Sequence, residues 1–224
     1  MSTIGTQIGP SNIRTYKAMI VARIMGIDLA SMSSFELGVD NKTPEFLAKY
    51  PVGKVPVFEG ADGFMLFDSA AISFYLAMQS PDSGRLLGHT NQERAKILQY
   101  SFFAESELMS AATKVLHVFF GFIPLVQPTF KTAEDELARF LGALDTLVGE
   151  KTFLVGDRMT LADIDVACDL TVIYENYLLA EDRAKYNNLT RYLTDMINQP
   201  AFKEVIGEVV YCVKRPEGSP PTRH

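Results

Sequence analysis

The sequence predicts an α/β unit followed by an all-α unit, and three observations carry that reading. Short strand patterns and turns alternate with helix patterns up to about residue 78. Helical patterns dominate after residue 91. The stretch between them, QSPDSGRLLGHT at 79–90, gathers residues that interrupt regular structure and reads as a linker. The units are therefore 1–80 and 91–212, with 213–224 a Pro-rich tail that looks like the start of a further linker.

Each element has a local cause. Residues 2–8 form a short, weakly marked strand. Ile13, Tyr16, Lys17, Ile20, Val21 and Ile24 then fall at helical spacing, with Ser11 or Asn12 available as N-cap and Gly26 as the stop. A strand is expected around 28–35. Thr43-Pro44 opens the next helix, with Pro where its missing N–H costs nothing, and Phe46, Leu47 and Tyr50 form its apolar stripe. Val55–Glu59 and Phe64–Phe67 read as strands joined through Gly60-Ala61-Asp62-Gly63. Ser69 is expected to cap a helix carrying Ile72, Tyr75 and Leu76. The order β-α-β-α-β-β-α describes one sheet covered by helices.

The second unit reads as helices near 91–118, 131–148, 160–178 and 183–197, with a short one after Pro200. Thr160-Leu-Ala-Asp163 is a capping box, with Met159 and Ile164 as its staple. Its spacing accounts for Asp163 as a structural residue worth about 0.5–2 kcal/mol.

Bulk composition removes several classes of function. The chain has 224 residues, 47% hydrophobic and 21% charged, which is globular composition. A formal charge of −6 provides no electrostatic footprint for nucleic acid. The longest apolar run, Val115 to Val126, is shorter than the ~20 residues a bilayer span needs. No signal-peptide pattern opens the chain. Cys168 and Cys212 lie far apart, and His89, His117 and His224 show no metal-ligand spacing, so neither a disulfide framework nor a zinc site is expected. A reducing, cytoplasmic setting fits.

The most informative stretch is NKTPEFLAKYPVGKVPVFEGADGFMLFDSAAISFYL, Asn41 to Leu76. A γ-glutamyl thiol peptide carries a carboxylate and an ammonium on one carbon. A helix N-terminus offers amides and partial positive charge to the carboxylate. Ser69 adds a hydroxyl, and Asp68 can pair with the ammonium. Taken alone, an Asp-Ser pair before a helix is more often a plain cap. The Val55-Pro56 step adds a second feature. If that bond is cis, the Val55 N–H and C=O point outward and can pair with an extended dipeptide like an added strand. Lys54 can reach the far carboxylate, with Asn41 or Lys42 contributing from the preceding loop, although a lone lysine is more often simply solvated. A thiol of pKa about 8.5 needs its thiolate stabilised, which donors at a helix start supply without a base. Ser11 sits at such a start, where a plain N-cap is an equal reading. Arg14 adds positive charge nearby or faces solvent.

At these residues the chain resembles the glutathione transferase superfamily, carried by VP followed by D-S-x-A-I. NKTPEFLAKYPVGKVPVFEGADGF, KTFLVGDRMTLADI and INQPAFKEVIGEV are similar, more narrowly, to the gamma-subunit family of translation elongation factor 1B. The resemblance implies a thioredoxin-like domain followed by an all-helical transferase C-terminal domain, usually dimeric. It implies glutathione or a related low-molecular-weight thiol held by Val55, Asp68 and Ser69, with Lys54 and Asn41 beside them, and Ser11 as the thiol partner. Relatives of the theta type place a histidine where this chain has Asn41. Tryptophans common in the gamma-subunit family are replaced by Tyr100 and Tyr192. Two functions follow: a scaffold that docks the nucleotide-exchange subunit of elongation factor 1B, or a free-standing transferase joining a thiol peptide to electrophiles. Phe119, Phe120, Phe122 and Ile123 belong either to a partner surface or to a buried helix or acceptor pocket.

Overall fold

The computed structural model describes residues 4–9, 12–32 and 34–216. Strands β1 (Gly5–Ile8), β2 (Leu29–Met32), β3 (Val57–Gly60) and β4 (Met65–Phe67) form one sheet in the order β2-β1-β3-β4. β2 is parallel to β1, β3 is antiparallel to β1, and β4 is antiparallel to β3. Helices α1 (Ile13–Met25), α2 (Pro44–Lys49) and α3 (Ser69–Met78) complete the expected β-α-β-α-β-β-α order of a thioredoxin-like domain.

Local chemistry sets these elements. Asn12 is the cap of α1: its Oδ1 accepts from the amides of Arg14 at 3.0 Å and Thr15 at 3.2 Å. Gly26 ends the helix in the left-handed region, at φ 67°. Thr43 Oγ1 accepts from the Phe46 amide at 3.2 Å, with Pro44 at the first helical position of α2. Of that helix's expected stripe, Tyr50 is buried and donates to the Phe58 carbonyl at 3.2 Å, Phe46 stacks on Tyr50 and Phe35, and Leu47 faces out. The hairpin closes as expected, the Gly60 amide donating to the Phe64 carbonyl at 2.7 Å. Its first strand begins at Val57 instead of Val55, because Pro56 has no N–H for the ladder.

The helical half contains α4 (Gly84–Leu87), α5 (Asn91–Phe102), α6 (Met109–Phe119), α7 (Gln127–Val148), α8 (Leu161–Asn176), α9 (Ala180–Arg183), α10 (Asn187–Ile197) and α11 (Pro200–Ile206). Three differences from expectation have local causes. α4 lies inside the stretch expected to be linker, closed by Gly88. A π-helical turn, Phe103–Leu108, interrupts the expected single helix between α5 and α6. α7 begins at Gln127 instead of 131, with Pro128 in the first turn, where a missing amide is tolerated. α8 is the central helix. Every residue from Leu161 to Thr171 is buried, and α1, α3, α5, α6 and α10 pack around it.

Asp163 does more than close the box at the head of α8. Its Oδ2 accepts from the Thr160 amide at 2.8 Å and from the Thr160 hydroxyl at 3.1 Å. Its Oδ1 accepts from the Leu154 amide at 2.8 Å and the Tyr192 hydroxyl at 2.9 Å, tying loop, α8 and α10 together. Cys168 and Cys212 are free and buried. No helix among the described residues is long and apolar enough to cross a membrane.

Candidate functional site

Three strand ends meet at one edge of the sheet. Ile8 pairs with Val57, and Val57 pairs with Phe67. One residue beyond each stand Gly9, Pro56 and Asp68. The Val55-Pro56 bond is cis. A Cβ built at Gly9 would lie 3.3 Å from Pro56 Cα and 3.4 Å from Val55 Cβ, so glycine there lets the end of β1 close onto the proline. Among the described residues, the Val55 amide and carbonyl enter no backbone hydrogen bond.

Continuing the β3–β4 register sets Val55 across from Ser69. The head of α3 corrects one expectation: the cap is Asp68, not Ser69. Asp68 has φ 76°, a conformation aspartate tolerates better than most residues, and its Oδ1 accepts from the amides of Ala70 at 3.0 Å and Ala71 at 3.3 Å. Ser69 is the first helical residue and is only 3% exposed. Because Asp68 engages two amides of the first turn, the Ser69 amide and hydroxyl are what the helix head offers an incoming carboxylate. Both Asp68 bonds go to Oδ1, which leaves its other oxygen outside the cap.

The remaining predicted residues are placed differently. Lys54 is exposed, one residue before Val55. Asn41 is engaged at both ends, its Oδ1 accepting from the Gly38 amide at 2.6 Å and its Nδ2 donating to the Gly53 carbonyl at 2.7 Å. As placed, it fixes the loop that carries Lys54 and Val55. Lys42 is exposed at the end of a short 3-10 turn, Asp40–Lys42. Ser11 lies outside the described residues. Arg14, on the first turn of α1, stands 3.9 Å from Glu105 of the π-helical turn.

Sequence reasoning missed a buried charge cluster behind this edge. Lys17 of α1 is completely buried, 2.9 Å from Asp169 of α8 and bonded to Glu105. A signal existed in a lysine inside an apolar stripe and in Asp165 and Asp169 spaced four apart on a buried helix. Beside the cluster lies a cavity of about 620 Å³ between α3 and α5, with Asp68, Glu105 and Asp165 at its acidic end and Phe74, Leu98 and Phe102 among its apolar walls. Elsewhere, Val115 and Leu116 are buried, but the loop after α6 exposes Phe120, Phe122, Ile123, Leu125 and Val126. Among the described residues, no group of three or more His, Cys, Asp or Glu is arranged to hold a metal ion.

Comparison with known proteins agrees with this architecture. The model of the glutathione S-transferase N-terminal domain matches residues 7–78, and that of the C-terminal domain matches residues 108–200. Elongation factor 1-gamma-A of Xenopus laevis is 39% identical over 208 residues, 92% of this chain and 47% of that protein. Elongation factor 1-gamma of Homo sapiens is 39% identical over 208 residues, 92% of this chain and 46% of that protein. The chain thus spans about half the length of these curated relatives. The GST-like domain of elongation factor 1-gamma from Saccharomyces cerevisiae shares the fold at TM-score 0.84 and 23% identity, covering 99% of this chain and 100% of that one. A glutathione transferase of Phanerochaete chrysosporium, solved with oxidized glutathione, shares it at TM-score 0.82 and 19% identity, covering 92% and 96%. With both family domains matched in order, and one likeness running along 92% of its length, the chain belongs to the glutathione S-transferase family, in the form that elongation factor 1-gamma carries as its transferase-like domain.

Proposed function

We propose that this chain is a scaffold of the translation elongation machinery, docking the nucleotide-exchange subunit of elongation factor 1B in the cytoplasm, and that it retains a site for glutathione or a related thiol. The observation that carries the scaffold reading is the 39% identity to elongation factor 1-gamma across 92% of the chain. The thiol site draws its support from Val55 lying across from the capped head of α3 in the continued β3–β4 register. Units 1–80 and 91–212 divide the work, the first holding ligand through Val55, Asp68 and Ser69 with Lys54 and Asn41 in support. The second offers the exposed loop at 120–126 to a partner. The chain acts as a homodimer. Co-purification from a cell extract followed by mass spectrometry tests the scaffold. Recovery of the nucleotide-exchange subunit with the intact chain is expected, and its consistent absence would remove the role.

A second reading is a free-standing transferase that stabilises the thiolate through Ser11. The open Val55 backbone favours keeping it. Turnover of a chloronitrobenzene with glutathione, lowered by Ser11→Ala with binding nearly intact, is the expected signature. An unaltered rate would move the thiol partner elsewhere.

A further inference from the structure

The joint between the two units holds more acid than base. Lys17 reaches Asp169 Oδ1 at 2.9 Å and also donates to Glu105 Oε1. Asp165, one turn earlier on α8, is completely buried. Neither of its oxygens, nor Asp169 Oδ2, nor the Ser101 hydroxyl of α5, has a hydrogen-bond partner among the described residues. Ser101 stands beside Asp165 without an ordinary hydrogen bond between them. The other groups facing the cluster are Cys168 of α8, Asp68 at the head of α3, and Arg14 of α1, which lies 3.9 Å from Glu105 and is half exposed.

Fully ionised, Lys17 and the half-exposed Arg14 balance two of the three carboxylates and leave one negative charge among orphaned oxygens. A buried carboxylate without compensation is costly enough that it keeps its proton instead. We propose that Lys17, Glu105, Asp165 and Asp169 form a proton-held clasp between α1 of the first unit and α8 of the second, locked while the cluster retains a proton and loosened when the proton leaves.

Burial lifts Asp169 to about 7 despite Lys17, and lifts Asp165 above the usual carboxylate range. Burial also pushes Glu105 up, but Lys17 more than offsets it, so Glu105 sits below its ordinary value and stays charged. The sign follows. A carboxyl raised in the folded state binds more protons there than in the unfolded chain between about pH 4 and pH 7. Its stabilisation is fully present below about pH 4, falls as pH rises through about 7, and then levels off. Glu105 acts oppositely and loses its contribution only in acid.

The test is urea unfolding of the full chain from pH 5 to 8, for the native sequence, Asp165→Asn and Asp169→Asn. The native unfolding constant should rise by up to about tenfold per pH unit between pH 5 and 7 relative to at least one variant. Parallel profiles in all three proteins would overturn the clasp. Should a variant not fold, calorimetry of the native chain at pH 6 in two buffers of different ionisation enthalpy keeps the question answerable. Because burial also raises Asp163 and Glu175, release exceeding that of the variant that folds, measured the same way, supports the clasp, and equal or smaller release overturns it.

Discussion

The Tyr192 hydroxyl donates to Asp163 Oδ1 at 2.9 Å, and the same oxygen holds the Leu154 amide at 2.8 Å. A capping box alone involves only the first turn of α8. Here one carboxylate also anchors the preceding loop and α10. Removing it leaves the Leu154 amide, the Thr160 amide and the Tyr192 hydroxyl unpaired in the interior. Asp163→Ala should therefore cost about 3–5 kcal/mol instead of the 0.5–2 of a lost cap. Tyr192→Phe should cost about 1–2 kcal/mol. Urea unfolding measures both, and a loss under about 1 kcal/mol for Asp163→Ala would reduce the residue to its local role.

Asp68 combines a structural and a ligand-facing role that two substitutions can separate. Asn keeps the oxygen that accepts from Ala70 and Ala71, and it tolerates the positive φ, but it lacks the charge. Ala loses both. Asp68→Asn should leave the melting temperature nearly unchanged while weakening glutathione binding about tenfold or more. Asp68→Ala should do this and also lower stability by about 0.5–2 kcal/mol. Calorimetric titration with glutathione reads the first effect and thermal unfolding the second. Equal affinity for native and Asn proteins would take the ammonium contact away from Asp68.

A methyl group at Gly9 would need its neighbours to give by a few tenths of an ångström. A Cβ there meets Pro56 Cα at 3.3 Å and Val55 Cβ at 3.4 Å. Gly9→Ala should push the end of β1 away from β3 and cost about 1–3 kcal/mol. Because the displaced atoms flank the open Val55 backbone, glutathione affinity should fall with it. A fully stable variant with unchanged affinity would mean that this edge gives way more easily than its packing suggests.

Strong local signals made much of the fold legible. Thr43-Pro44, Gly26 and the Gly60–Gly63 hairpin each act within a few residues, so the chain states them directly. The site was legible as a segment but not as a geometry. Which of Asp68 and Ser69 caps α3 depends on a positive φ that no spacing reveals. That the Asn41 amide spans Gly38 and Gly53 is a relation set by loop closure, which no spacing states. The Lys17 cluster joins residues about 90 and 150 positions apart, and the π-helical turn that presents Glu105 leaves no periodic trace.

Two exposed apolar surfaces lie on different elements, and one substitution on each separates their roles. Phe102, 66% exposed, borders the cavity of about 620 Å³ between α3 and α5, alongside exposed Phe64, Phe74, Met78 and Leu98. Phe122, 69% exposed, sits on the loop after α6, its ring edge-on to His117. A stable dimer interface buries about 1,200–2,000 Å² and concentrates its energy in a few aromatic anchors. The cavity offers a recess ringed by such anchors, whereas the loop after α6 lines no such recess and only exposes its apolar side chains. Phe102→Glu would also set a new negative charge beside Glu105 and Asp68. Sedimentation velocity should show the homodimer weakened by at least about tenfold in Phe102→Glu and intact in Phe122→Glu. Capture of the nucleotide-exchange subunit should fail in Phe122→Glu and survive in Phe102→Glu. The reverse pattern would exchange the two assignments, and a native chain that sediments as a monomer at every concentration would remove the dimer itself.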